Sequence, residues 1–157
     1  MSLRYGRGHL LLCALVAAGA ASPGWAACTV SAVGPEFGNY STRSTVPLQT
    51  AGTVVLDCSS APLTAPAKIS FSTGNSNNYA TRHLQSESGS HRLRYNIYHP
   101  KLFLNGSMAI LGDGTGETAT VSTSAPRTSV HFIAQILPGQ NVPPGRYNDT
   151  ITVIVDY

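Results

Sequence analysis

The 157-residue chain has a mass of 16.5 kDa, which fits one domain of ordinary size and is too short for two. Only 11% of its residues are charged, whereas Ser, Thr, Gly and Pro are abundant, a composition typical of exported all-β proteins. The formal charge of +3 gives no electrostatic reason to expect a nucleic acid or an anionic membrane as partner, and the 42% hydrophobic content argues against a disordered chain.

The N-terminus has the layout of a secretory signal peptide. Two arginines precede an uninterrupted apolar run at residues 10–21, which is too short to span a membrane. Small residues follow, and cleavage after Ala26 would remove residues 1–26 and start the mature chain at Ala27. Loss of the two arginines leaves eight basic and seven acidic residues, a net charge of +1. The sequence therefore predicts one exported domain over residues 27–157, without a membrane segment after cleavage.

Two of the three cysteines would remain in the mature chain, because Cys13 lies in the apolar run. An even number of cysteines in an exported chain predicts a disulfide, here between Cys28 and Cys58. Two unrelated buried thiols and a lipid-modified Cys28 are the alternatives. Neither cysteine has a Cys or His neighbour at the spacing of a zinc site.

Several segments of the mature chain alternate apolar and polar residues with period two, and no window sustains helical spacing. This pattern predicts an all-β fold, an antiparallel sandwich of about six or seven short strands separated by turns rich in Gly, Pro, Ser and Asn. In chain order, the expected strands are residues 28–33, 52–58, 67–72, 92–98, 128–137 and 147–157.

The last predicted strand is the most hydrophobic one, and the sequence stops at its end. Ile151, Val153, Val155 and Tyr157 share one face of this strand. A sandwich ordinarily follows such a strand with another. We therefore expect an uncovered edge or groove that a strand from elsewhere must fill.

The remaining polar motifs favour structural roles, and no catalytic residue, cofactor or metal site is predicted. The Gly-rich segment 112–116 lacks the lysine of a phosphate loop and the spaced acids of a calcium loop, so we expect a hairpin turn. His131 and Ser129 lack the sequence context of a hydrolase triad. The eight-residue spacing of His83, His91 and His99 is interrupted by Gly89 and Pro100 and does not suggest a shared metal.

Three arginines and two tyrosines are also predicted to have structural roles. Arg82, Arg92 and Arg94 form a modest basic cluster, which is predicted to be a solvated sheet face. Tyr95 and Tyr147 sit at alternating strand positions, where core packing or a tyrosine-corner hydrogen bond is expected.

A series of landmarks spans the mature chain in a fixed order. They are Cys28-Thr29-Val30, Phe37-Gly38-Asn39-Tyr40, the strand ending in Cys58, Arg82-x-Leu84 leading into Leu93-x-Tyr95-Asn96-x-Tyr98, Gly112-Asp113-Gly114-Thr115-Gly116, and Pro144-Gly145-x-Tyr147-x-Asp149-Thr150. Together they resemble the spore coat protein U domain, a family similar to the subunits of archaic chaperone-usher pili.

The resemblance implies an immunoglobulin-like sandwich that lacks its final strand. A periplasmic chaperone would lend that strand, and a neighbouring subunit would replace it in the assembled fibre or coat after passage through an outer-membrane usher. The strand-acceptor groove would include Val30, Ile151, Val153, Val155 and Tyr157. No cofactor is implied.

The function implied by the resemblance is that of an exported structural subunit of a surface fibre or spore coat, located at the cell surface or outside the cell. The alternative is an adhesin-like tip domain that binds a surface or a glycan through loops such as residues 86–91 or 103–108. Family members that polymerise carry a donor segment before the first cysteine, whereas cleavage here would leave Ala27 alone. We therefore expect a subunit that accepts a strand and does not donate one.

Overall fold

The computed structural model describes residues 28–157, so the predicted signal peptide lies outside the described residues. This part of the chain forms eleven β-strands and one short 3-10 turn, Gly74–Ser76. The strands are β1 (Thr29–Val33), β2 (Leu48–Asp57), β3 (Ala67–Phe71), β4 (Arg82–Ser86), β5 (Arg92–Leu104), β6 (Ser107–Leu111), β7 (Thr118–Ala119), β8 (Val121–Thr123), β9 (Arg127–Ile136), β10 (Tyr147–Asn148) and β11 (Val153–Asp156).

The strands form two sheets. The large sheet has the order β1-β2-β9-β5-β4-β10, and β6 and β7 extend it from β5. The small sheet has the order β11-β3-β8. Every pair is antiparallel except β6 with β7, which is parallel. The prediction of an antiparallel all-β sandwich is confirmed.

Period-two alternation places one side of each central strand in the core. In β2 and β9, Val54, Leu56, Val130 and Phe132 are buried while the residues between them are partly or fully exposed. The small sheet contributes three buried hydrophobic residues of β3, Ala67, Ile69 and Phe71. Phe71 and Phe132 meet edge to face with ring centroids 5.7 Å apart, so they join the two sheets.

Gly52 allows this aromatic contact to form. It pairs with Phe132 across the β2–β9 ladder, and a Cβ atom at this position would overlap the Phe132 ring. The ring therefore lies directly over the backbone of β2. This close approach keeps Phe132 inside the core at the place where the two sheets face each other.

Residues 147–157 do not form the single strand that the alternation predicted. They form β10, which pairs with β4 in the large sheet, and β11, which pairs with β3 in the small sheet. Residues 149–152 cross from one sheet to the other. The alternation continues through the crossing, with Ile151 half-buried, and a period of two does not specify which sheet a strand joins.

The Gly-rich segment 112–116 is not the hairpin turn that was expected. It connects β6 to β7, which run parallel with Ile110 opposite Thr118. The loop is closed by its own polar groups: Asp113 accepts hydrogen bonds from the backbone N–H (2.9 Å) and hydroxyl (2.6 Å) of Thr115. These local bonds close the loop, and β7 then runs beside β6 in the same direction.

The predicted disulfide is present. Cys28 and Cys58 are bonded, with an S–S distance of 2.05 Å and a sequence separation of 30. The bond ties the start of β1 to the end of β2, the strand with which β1 pairs over its whole length. Cys58 is fully buried, whereas every residue of β1 is exposed. The disulfide thus fixes an exposed edge strand to the core.

Replacing both cysteines with alanine (Cys28→Ala with Cys58→Ala) should lower the free energy of unfolding by about 3–4 kcal/mol, because the unfolded chain regains the entropy of an open loop. Urea denaturation measures the change. Reductant should bring the wild type to the stability of the double variant and leave the variant unaffected. Equal stability of the two oxidised proteins would contradict the prediction.

Candidate functional site

A groove of about 1540 Å³ opens between the two sheets. One wall consists of Ala32 and Val33 of β1 and of residues 34–43, which we call the strap, and the opposite wall consists of residues 142–151 and Val153. The floor is formed by core residues from both sheets. They are Val54, Phe71, Leu84, Leu93, Tyr95, Ile97, Phe132 and Ile136. All of them except the half-buried Leu84 are nearly fully buried, so the groove lies directly over the packed hydrophobic core.

The free edge of β11 borders this groove. In the described residues β11 pairs with β3 alone, and next to that ladder the Ser72 N–H donates to Thr152 O (2.9 Å). Because hydrogen-bonding groups alternate along a strand, the backbone groups of Ile151, Val153 and Val155 point to the other side. The side chains of these three residues are half-buried and pack against the core. A further strand added here would gain both backbone partners and apolar contacts.

Of the five residues proposed from the sequence for the acceptor groove, two line the groove in the structure and three do not. Ile151 and Val153 line the groove. Val30 lies on the core side of β1, since it pairs with the buried Leu56, but it is 46% exposed and outside the groove lining. Val155 packs against the core outside the lining, and Tyr157 is 61% exposed.

The strap is a wall that the sequence patterns did not predict. Phe37 packs edge to face on Tyr95, with ring centroids 5.8 Å apart. The Tyr40 hydroxyl donates to Leu137 O (3.2 Å) and accepts from the Gln140 N–H (2.8 Å). The strap has no period-two alternation, so only the Phe37 and Tyr40 landmarks could have indicated it. These contacts hold the strap against the large sheet and keep the groove's first wall in place.

Tyr95 and Tyr147 occupy the roles expected from the sequence. Tyr95 is buried, and its hydroxyl donates to Asp149 Oδ2 (2.7 Å). Burial raises the pKa of Tyr95, and the adjacent carboxylate of Asp149 raises it further, so the hydroxyl stays protonated and acts as a donor. The Tyr147 hydroxyl donates to Pro143 O (2.8 Å), four residues upstream, as in a tyrosine corner.

Arg82 is not on a solvated face, contrary to the prediction. It is fully buried, whereas Arg92 and Arg94 are exposed. Its guanidinium donates to Ser72 O from Nε (3.1 Å) and Nη2 (2.7 Å), and to Asn96 Oδ1 from Nη1 (2.6 Å). Nη2 also donates to Leu111 O (2.7 Å).

The guanidinium thus connects the end of β3 in the small sheet with β5 and β6 in the large one. Burial lowers the pKa of Arg82, and nearby tyrosines and Asp149 act in the opposite direction. Its hydrogen-bond partners are neutral oxygen atoms rather than carboxylates. The residue therefore acts as a polar link inside the core, and its charge is not paired by a direct salt bridge.

No group of three or more His, Cys, Asp or Glu side chains within residues 28–157 is placed to hold a metal ion. His131 contacts Thr53, whose Oγ1 lies 3.0 Å from its Nδ1, rather than Ser129. No helix in the same residues is long and apolar enough to cross a bilayer.

Sequence comparison assigns this groove-bearing fold to a family. The family model of the Spore Coat Protein U domain matches residues 14–154. The chain belongs to this family. The resemblance drawn from the landmarks is therefore confirmed over nearly the whole sequence. No curated protein matches the chain.

Two solved structures that are similar to the chain are of pilus proteins. One is a chain of the CsuC–CsuE chaperone–tip adhesion subunit pre-assembly complex from the archaic chaperone-usher Csu pili of Acinetobacter baumannii, with a TM-score of 0.56 and 21% identity. The similarity covers 83% of the present chain and 40% of that chain, so this spore coat protein U domain spans less than half of its length. Another is the E. coli Hda pilus minor tip subunit HdaB, with a TM-score of 0.40, 14% identity, and coverage of 81% and 79%.

Replacing Arg82 with Met should lower the free energy of unfolding by about 3 kcal/mol or more, because the buried oxygens of Ser72, Leu111 and Asn96 lose the bonds from its guanidinium, although Asn96 Oδ1 keeps another donor, the Ile97 N–H. Urea denaturation measures the loss. Arg92→Met is the control on the same sheet, and since Arg92 is exposed its effect should stay within about 0.5 kcal/mol. Similar stabilities of the two variants would show that the buried guanidinium does not hold the sheets together.

Proposed function

We propose that this protein is an exported structural subunit of a surface fibre of the archaic chaperone-usher type, or of a spore coat, and that its groove accepts a β-strand from another protein. The observation that carries the proposal is the free edge of β11 beside a groove that lies over the hydrophobic core. The proposed role is assembly by β-strand addition and involves no catalysis.

Strand addition satisfies both requirements of the groove. The outward backbone groups of Ile151, Val153 and Val155 would gain ladder partners, and alternate apolar side chains of the added strand would fill the groove above the core. Four or five such side chains contribute about 1.5–3 kcal/mol each when fully buried. That sum is comparable to the whole stability of a small domain, so the free subunit should be far less stable than the complemented one.

The partners proposed are a periplasmic chaperone, an outer-membrane usher and other pilus or coat subunits. The similar Csu chain comes from a chaperone–subunit pre-assembly complex, which supports a chaperone as the first donor. The Cys28–Cys58 disulfide agrees with passage through an oxidising compartment such as the periplasm. A cleaved signal peptide at residues 1–26, which would direct this export, stays a prediction.

Two neighbouring substitutions in β11 test the groove, and only one of them is expected to weaken peptide binding. Val153 lines the groove, whereas Ile154 is 48% exposed on the other face of β11. Val153→Asp should weaken binding of a synthetic peptide of alternating Val and Thr, about twelve residues long, by at least about tenfold, because it would bury a carboxylate. Ile154→Asp should bind nearly as well as the wild type. Isothermal titration calorimetry measures both affinities.

The same peptide should raise the melting temperature of the wild-type chain progressively as its concentration increases, because it binds the folded state. A peptide of the same composition with its alternation scrambled should not. A high melting temperature that neither peptide changes would mean that the sandwich is already complete and would contradict the proposal.

A second candidate function, surface adhesion, is favoured by the tip of the β5–β6 hairpin. Leu102, Phe103 and Leu104 are 37%, 63% and 39% exposed, next to the two-residue turn Asn105-Gly106. Both turn residues have positive φ, 50° and 79°, the conformation of a tight hairpin. Three neighbouring large apolar residues on a projecting turn suit a flat apolar surface better than a glycan, which needs converging polar groups.

This adhesion role predicts that Phe103→Ser lowers retention of the chain on octyl-coated beads by about tenfold, since the ring would lose the apolar burial of a phenylalanine. Val46→Ser is the control, because Val46 is 66% exposed and lies outside the hairpin. Retention is measured by depletion from solution at fixed salt. Equal retention of the two variants would rule out the hairpin tip as the contact.

A further inference from the structure

The crossing from the large to the small sheet determines where the free edge of β11 begins. β10 ends at Asn148, paired with Gln85, and β11 begins at Val153, paired with Phe71. The steps between these two residues reach roughly 17 Å when extended, while stacked sheets lie roughly 10 Å apart. The crossing segment, residues 149–152, therefore has limited slack. Its path sets the position of Ile151, which lines the groove.

One carboxylate is bonded to both sides of this crossing. Asp149 Oδ2 accepts a hydrogen bond from the Tyr95 hydroxyl (2.7 Å) in the large sheet. Oδ1 accepts from the backbone N–H of Asn75 (2.8 Å), in the 3-10 turn that follows β3, and from that of Thr150 (2.8 Å). The turn also leaves room for the carboxylate, since a Cβ atom at Gly74 would overlap it.

Ser72 holds the far end of the same segment. Its hydroxyl accepts from the Thr152 N–H (2.9 Å), and its own N–H donates to Thr152 O (2.9 Å). Asp149 and Ser72 thus fix the residues on either side of Ile151. The side chain and backbone of Ile151 are left facing the groove and its free edge.

Tyr95 extends the effect of Asp149 across the groove. Its ring lies in the floor, contacts Phe37 of the strap on one side, and presents its hydroxyl to Asp149 on the other. The two walls are therefore braced against one buried side chain. A change at Asp149 would alter the separation of the walls as well as the path of the crossing segment.

We propose that Asp149 is a positioning residue for strand acceptance: by bonding Tyr95, Asn75 and Thr150 it holds residues 149–152 so that the free edge of β11 lies along the groove. This inference rests on the proposed function, because it concerns how the groove receives its strand. The donated strand would bind a preformed edge and would not have to order it, which lowers the cost of binding.

Three substitutions test this role in the full-length, disulfide-bonded chain. Asp149→Ala removes all three hydrogen bonds, Asp149→Asn keeps an oxygen for the two backbone N–H groups, and Tyr95→Phe removes one hydroxyl while keeping the ring on Phe37. Asp113→Ala is the matched control. Asp113 also accepts from a backbone N–H (Thr115, 2.9 Å) but lies outside the groove lining.

The affinity for the alternating Val–Thr peptide is measured by calorimetry well below the melting temperature of every variant, and stability is measured separately by urea denaturation. Asp149→Ala should weaken peptide binding by about tenfold or more, which corresponds to losing charge-assisted hydrogen bonds at the edge. Asp149→Asn should recover most of that loss, and Tyr95→Phe should fall between the two. Asp113→Ala should lower stability without changing the affinity.

The possible outcomes separate this inference from the proposed function. If the wild type binds no peptide, the proposed function fails and the role of Asp149 fails with it. If the wild type binds and Asp149→Ala binds within about twofold of it, or no more weakly than Asp113→Ala, only the positioning role is overturned. Should Asp149→Ala not fold, Tyr95→Phe decides: weaker peptide binding than the wild type supports the positioning role, and wild-type affinity overturns it.

Discussion

The backbone of β11 has to satisfy hydrogen bonds on two edges, and β3 meets the requirement on one. Burying backbone N–H and C=O groups without hydrogen-bond partners costs free energy. Apolar side chains alone would therefore not close this side of the sandwich, because they would leave the edge of β11 unpaired. The groove beside this edge lies over the packed core, where Phe71 and Phe132 meet. The free edge of β11 and the groove lie side by side, so a single extended strand could pair with the edge and fill the groove.

Contacts elsewhere in the molecule keep the groove in a fixed shape. The buried guanidinium of Arg82 connects the end of β3 to the large sheet, and the strap is held by Phe37 and Tyr40. These contacts are polar or aromatic and have defined directions, unlike the aliphatic contacts of the remaining core. An open sandwich that relied on apolar packing alone could collapse to reduce its exposed area. Directional contacts oppose that collapse.

Sequence patterns predicted the parts of the fold in which alternation and turn residues agree. β1, β3 and β9 lie within about a residue of their predicted bounds because Gly, Pro or polar turns flank them. The crossing at 149–152 was missed because the alternation runs through it without a break. Ile151 and Val153 could be placed on an apolar face from the sequence, but the strap could not, since its contribution comes from isolated side chains in an irregular segment.

Arg82 marks a different limit of sequence reasoning. Because Arg82 is near Arg92 and Arg94 in the sequence, its side chain was expected to be exposed to solvent. A buried guanidinium is tolerated only because oxygen atoms of Ser72, Asn96 and Leu111 meet around it in the folded chain. The four hydrogen bonds of this guanidinium reach atoms that lie far apart in sequence. A composition or a periodicity carries no information on such a convergence, whereas the landmark Arg82-x-Leu84 did mark the segment as characteristic of the family.

The pairing of β2 has a consequence for the order in which the chain folds. One neighbour, β1, is local and is attached through a disulfide that spans 30 residues, so this hairpin can form as soon as Cys58 is available. The other neighbour is β9, whose Ile136 pairs with Leu48 at the far end of β2. Until that distant segment arrives, β2 keeps an unpaired hydrophobic edge. Pairings of such long range form slowly and expose edges to the wrong partners. The risk of pairing with a wrong strand therefore begins at the edge of β2, before β11 has formed. A partner that covered this edge would be useful as soon as the β1–β2 hairpin closes.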